Sequence, residues 1–417
     1  MPTNTPTDTS TDAATTAETP AAQPPAAETP ATETPAAESP GAESPAAGEP
    51  AEARATAPTP APAPGSATMS AAAPAPKKER EHRFDIDLLR LIASCAVIVT
   101  HTCAALIHAV DQRRSAGEPV YWAGFLGDSA TSFAVPVFFA IAGWAVVAGA
   151  PPKTSGRLWQ RLIRNTVPMF VWTALYLLWA WARDRNEDPI VDLAVDSLFD
   201  SVEPAYHLWF MYAYLPIVVM LGFVVLLRAG QRPWGIGLLL LALAGLGPAL
   251  TTVHEVTGWE TPRVGWGFGT YSVIYAIGGA FLLSAARPVP GHWRWPLAGT
   301  ALAAVAGILW YNTDIHYVIP NAHPFVAVLS VCVVLLLVRV RVPERRRALV
   351  NRLANAALGA YLVHVILVEE LVDRYVEPDL SVGQVAFFLP AMLAVTIGVS
   401  YAASLLWGRL GLRRYLG

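Results

Sequence analysis

The sequence predicts an all-α fold, a polytopic transmembrane bundle of about ten helices behind a disordered N-terminal tail. Three observations predict it. Of the 417 residues, 54% are hydrophobic and only 15% are charged, against about 25% charged in ordinary soluble domains. Apolar stretches of membrane-spanning length recur along the chain. Lys and Arg alternate between rich and poor flanks of those stretches.

The tail comes first. Residues 1–76 hold almost no large apolar residue and repeat units such as AAETP, ATETP and AAESP. Such a segment cannot bury enough apolar surface to offset its ordering entropy, so residues 1–80 are expected to be a disordered tail. No basic stretch and apolar core of a secretory signal stands at the start. The first apolar run begins near Ile86 and is long enough to remain as an anchor.

The expected helices follow at 86–108, 128–149, 166–182, 205–227, 234–251, 266–286, 295–311, 321–338, 350–372 and 382–407. With the N-terminus placed in the cytoplasm, the inner flanks hold 21 Lys and Arg residues and the outer loops hold 6. That bias puts both termini, including a short basic C-terminus at 408–417, in the cytoplasm, and suggests a plasma-membrane protein. The acidic loop 184–203 places Asp188, Asp192, Asp196 and Asp200 four residues apart, with Val191, Val195, Leu198 and Phe199 between them. It reads as a short amphipathic helix on the outer surface. Cys95, Cys103 and Cys332 lie in apolar runs and form neither a disulfide framework nor a metal knuckle.

The first helix carries the clearest chemistry. Ionisable residues inside a span are costly and mark function by default. Asp87, Ser94, His101 and His108 recur every seven residues, one polar stripe on an apolar helix. Arg90 and His101 are eleven residues apart and share a face, about 16 Å apart along the axis. A guanidinium near the mouth can bind phosphate, and an imidazole deeper in can act as general base. The alternatives are a snorkelling Arg90 paired with Asp87, and a packed, hydrogen-bonded His101.

These residues also carry a resemblance. Asp87-x-x-Arg90, ten residues, then His101 is similar to the first helix of the acyltransferase-3 family of integral membrane acyltransferases. Val135 to Trp144 (VPVFFAIAGW) resembles the family's Phe-Phe-x-x-Ser-Gly segment, with Ala142 where the serine usually stands. Arg161-Leu-Ile-Arg164 resembles its Arg-x-x-Arg, His207-Leu-Trp209-Phe210 its His-Leu-Trp-Phe, and Tyr361-Leu-Val-His364 its Tyr-Leu-x-His. The resemblance covers about 84–407 and fits the stand-alone form.

The resemblance implies transfer of an acyl group, commonly acetyl, from cytoplasmic acyl-CoA to a hydroxyl of a surface or lipid-linked carbohydrate. In that reading Arg90, Arg161 and Arg164 face the CoA phosphates. His101, with His364 at a similar depth, serves the catalytic step. Asp87, His207, Trp209 and Tyr361 contribute to substrate binding. The expected partners are the acyl-CoA donor, the acceptor and the bilayer; no metal-ligand spacing, Gly-rich phosphate loop or nucleic-acid patch is present. The other reading of a polar stripe with a buried histidine is a transporter or flippase for a glycolipid or acyl-group carrier.

Overall fold

The computed structural model describes residues 82–109, 119–377 and 380–417. The tail expected over 1–80 lies outside the described residues, as do Arg113 and Arg114. The described residues form helices and no strand. In order these are α1 (Phe84–Ala109), α2 (Pro119–Thr131), α3 (Ala134–Trp144), α4 (Ser155–Arg183), α5 (Ile190–Asp196), α6 (Trp209–Arg228) and α7 (Trp234–Thr257). Then follow α8 (Thr270–Ala285), α9 (Gly291–Asp314), α10 (Pro324–Leu337), α11 (Glu344–Tyr375), α12 (Val382–Arg409) and α13 (Arg413–Leu416). A π-turn at Ala145–Gly149 extends α3, and a 3-10 turn at Glu203–Leu208 leads into α6.

Every apolar stretch read from the sequence falls on a helix. Among the described residues, six helical segments, one of them Pro119–Gly149 taken across its break, are long and apolar enough to cross a membrane by length and composition. Among them α7 and α12 bury little of their apolar surface inside the protein. Leu238 and Leu241 of α7 and Phe387 of α12 are among the most exposed side chains. Such faces suit contact with lipid tails, and the chain is a multi-pass membrane protein.

Two expectations need correction. The second stretch is not one helix from 128 to 149. The helix starts at Pro119, breaks at Ser132–Phe133 and resumes as α3. Pro136 is the cause: it has no N–H for the Ser132 carbonyl, so the ladder restarts in front of it. Second, α4 and α11 begin well before 166 and 350, because their charged first turns escape a hydropathy reading yet still form helix. The loop 184–203 holds the expected short helix, α5. Leu193 is its buried side chain, while Val191, Val195 and Leu198 are exposed. Val191, Val195 and Leu198 therefore form an exposed apolar face, while Phe199 is half-buried.

Helix directions follow from specific contacts. In α1 and α11, Asp87 accepts from Asn351 at 3.0 Å and Ser94 donates to the Ala357 carbonyl at 3.4 Å. Rising numbers meet rising numbers, so the two helices run parallel. The helices α1 and α2 run antiparallel, with Gly127 against Cys103 and Thr131 hydrogen-bonded to Thr100 at 2.8 Å. The helices α3 and α8 cross closely where Gly143 meets the Ala276 backbone and Gly279 meets Ala140.

One end of the bundle collects the start of α1 with the ends of its neighbours. Buried Asp85 accepts two hydrogen bonds from Arg83, each 2.7 Å, and the Arg339 backbone N–H at 2.7 Å. Arg83 also donates to the Leu283 carbonyl at 3.2 Å and lies over the Trp144 ring. Near the same level Arg413, just before the chain ends, donates to the Asn355 carbonyl. The start of α1 and the last helical turn thus sit at one end, which fits an even number of crossings.

Candidate active site

His101 comes from α1, His364 from α11 and His207 from the 3-10 turn before α6. They form a triangle. Ring centroids are 5.1 Å apart for His101 and His364, 5.4 Å for His207 and His364, and 6.1 Å for His101 and His207. The parallel register of α1 and α11 brings the first pair together: the two helices climb nearly the same height from the Asp87–Asn351 contact upward.

His364 is fully buried, and its Nδ1 faces the Tyr361 carbonyl at 2.5 Å. A carbonyl only accepts, so Nδ1 carries the proton and Nε2 holds the lone pair of the neutral ring. That Nε2 has no hydrogen-bond partner. His207 is also buried. Neither of its ring nitrogens makes a well-formed hydrogen bond, although the Leu362 carbonyl lies beside the ring. Unpartnered buried polar atoms cost stability, so their persistence points to use.

Tyrosines frame the triangle. Tyr361 donates from its hydroxyl to the His207 carbonyl, which fastens the 3-10 turn to α11. Tyr176 of α4 packs 4.8 Å from the His207 ring and donates to the Leu362 carbonyl at 3.0 Å. Tyr206 packs 5.5 Å from the His101 ring. Among the described residues, no group of three or more His, Cys, Asp or Glu is arranged to hold a metal ion.

An acyltransferase-3 family profile, described as an acyltransferase domain, matches residues 83–405. The chain belongs to the acyltransferase-3 family. No curated protein and no solved structure shows a detectable match. The family assignment makes the protein a membrane acyltransferase.

In this acyltransferase Arg90, Arg161 and Arg164 make no hydrogen bond or ion pair with the three histidines among the described residues. Arg90 is half-buried and 3.7 Å from the Asp87 carboxylate. Asp87 also accepts from His82 at 2.6 Å, in addition to Asn351, so its oxygens are occupied by protein groups. Arg161 reaches the Ala150 carbonyl at 3.5 Å, and Arg164 is exposed. Both lie in the first three turns of α4, at the end of the bundle that holds the start of α1. Among the described residues, no hydrogen bond or ion pair joins Arg90 to either of them.

Four expected site residues, His101, His207, His364 and Tyr361, therefore meet. Trp209 does not join them: its ring contact is with Phe210, at 6.4 Å. Sequence reasoning missed Tyr206 and Tyr176. The first adjoins His207 in sequence and could have been taken with it. The second lies on α4, and only the tertiary fold brings it to the cluster.

Proposed function

We propose that this acyltransferase moves an acyl group, acetyl in the first instance, from acyl-CoA to a hydroxyl of a carbohydrate or lipid-linked acceptor. The observation that carries the reading is the His101–His364 pair, with the His364 Nε2 lone pair unengaged inside the bundle. A neutral imidazole there takes the proton of the acceptor hydroxyl. The oxygen attacks the thioester carbonyl, the carbon–sulfur bond breaks, and the departing thiolate of CoA takes up the proton. His101 is the base in this reading, and His364 holds it in place or shares the proton.

Arg90, Arg161 and Arg164 serve the CoA phosphates, since guanidinium forks suit phosphate oxygens. They belong at the cytoplasmic face, with both termini there, and the enzyme belongs in the plasma membrane. The domain at 84–407 does the chemistry. The 408–417 segment is a short basic C-terminus in the cytoplasm.

The test uses purified full-length protein, radiolabelled acetyl-CoA and an extract of membrane glycans and glycolipids. Wild-type protein yields a labelled product, and His101→Ala yields none at equal expression. A wild-type protein that transfers no label, yet moves a glycolipid across vesicles, overturns the reading in favour of a transporter.

A further inference from the structure

Of the rings that surround His101, all but one are shut inside the protein. Tyr176, His207, His364 and Tyr361 are buried, whereas Tyr206 is 37% exposed. Tyr206 contacts both His101 and His207, with centroids 5.5 and 5.9 Å away. Its hydroxyl makes no hydrogen bond among the described residues. His101 is itself half-buried, and Tyr206 is the exposed ring in contact with it.

Glu369 adds a carboxylate in the neighbourhood of Tyr206. It lies in α11 five residues beyond His364 and within electrostatic reach of Tyr206. Its carboxylate is partly exposed, and its ion pair with Arg185 is long, at 3.7 Å. Arg185 gives its closer contact to Asp373. The Glu369 oxygens thus retain acceptor capacity for a ligand. Further in, the unpartnered His364 Nε2 supplies the independent sign that a ligand completes this place.

We propose that Tyr206 and Glu369 form the acceptor subsite, and that it takes a neutral sugar ring. The proposal rests on the acyl-transfer reading above. A pyranose presents apolar C–H groups on its faces and hydroxyls around its rim. An aromatic face attracts the first through its negative quadrupole. A carboxylate accepts hydrogen bonds from the second. The same carboxylate repels an acidic sugar. A simple fatty alcohol would gain nothing from it. The hydroxyl to be acylated then lies over His101, one ring contact away.

Binding and transfer are measured separately, on full-length detergent-purified protein. Calorimetry with methyl β-D-glucopyranoside reads binding, and radiolabelled acetyl-CoA reads transfer to the same glycoside. Wild-type protein is expected to bind the glucoside and to bind methyl β-D-glucuronide more weakly. Tyr206→Ala should weaken glucoside binding and raise its KM about tenfold, the scale of one aromatic contact, with the KM for acetyl-CoA unchanged. Tyr206→Phe keeps the ring and should stay close to wild type. It also keeps the test valid if the alanine variant misfolds. Glu369→Gln should narrow the preference for glucoside over glucuronide. Wild-type protein that binds no glycoside overturns the subsite, and so does a Tyr206→Ala variant with an unaltered acceptor KM. Glycoside binding without transfer leaves the subsite standing and removes the acyl-transfer reading alone.

Discussion

Asp87 and Asn351 join α1 to α11 through a 3.0 Å hydrogen bond, and that contact fixes the level at which His101 meets His364. His101 lies 14 residues beyond Asp87 and His364 lies 13 beyond Asn351, so two parallel helices climb nearly the same height from a common start. A slip by one residue would turn one histidine away from the other.

Asn351→Ala tests this. The variant loses a half-buried hydrogen bond to a carboxylate that still keeps His82 and Arg90, together with weaker, exposed contacts to His82 and Asn355. The cost is about 1 kcal/mol, read as a small fall in melting temperature in detergent. Activity should fall further than stability alone explains, because the histidines lose their register. Unchanged kcat in a protein with a lowered melting temperature would remove the register argument.

A larger loss is expected at Asp85. Its carboxylate holds Arg83 and the Arg339 N–H, all at 2.7 Å, in a buried setting. Asp85→Ala leaves the half-buried Arg83 guanidinium without its counter-charge and the Arg339 N–H without its acceptor. Breaking a buried pair by removing one partner costs about 3–5 kcal/mol. The variant should run as aggregate on size exclusion. Adding Arg83→Met should recover much of the folded fraction, because the orphaned charge is then gone as well.

How far the sequence carried can be judged from single residues. Asp87, Ser94 and His101 share a face by spacing alone, and His364 matches their depth by counting along α11. These are local quantities, so they are legible. Periodicity names the polar face of a helix but not the neighbour that covers it. That is why Tyr206 replaced Trp209 beside the histidines, and why Tyr176 was not foreseen. The break before α3 was legible in Pro136 but was hidden by the surrounding apolar run. In α5, the amphipathic pattern gave the short helix, but not that Leu193 and Ile190 are the side chains that pack on the core.

The α3–α8 crossing predicts two intolerant glycines. A Cβ at Gly143 would stand 1.8 Å from the Ala276 carbonyl oxygen, and one at Gly279 would stand 2.2 Å from the Ala140 Cα. Both obstacles are backbone, so the helices must separate. Gly143→Ala and Gly279→Ala should each cost about 1–3 kcal/mol or more and lower the yield of monodisperse protein. Gly245→Ala on α7 is the control, since nothing lies within 4 Å of its Cβ. It should be neutral, or stabilising by about 0.5–1 kcal/mol.

Arg90→Ala separates donor binding from chemistry. Asp87 keeps two other partners, so the start of α1 should stay folded. A lost guanidinium–phosphate contact should raise the KM for acetyl-CoA about tenfold or more. The acceptor KM should not move. An unchanged KM for acetyl-CoA would argue that Arg90 is an interface anchor only.

His364→Asn isolates one nitrogen. The asparagine amide stands where the imidazole Nδ1 stood and can still donate to the Tyr361 carbonyl. What disappears is the unpartnered Nε2, 5.1 Å by ring centroid from His101. If that lone pair takes part in moving the acceptor proton, kcat should fall about 100-fold, the lower range for general acid–base groups. Melting temperature should stay near wild type, because the hydrogen bond that holds the side chain survives. The KM values should stay within about twofold, because neither substrate is bound by this nitrogen. A variant that keeps wild-type kcat would confine the chemistry to His101 and make His364 a packing residue. A variant that loses stability and rate together would show that the ring, not its lone pair, is what the site requires.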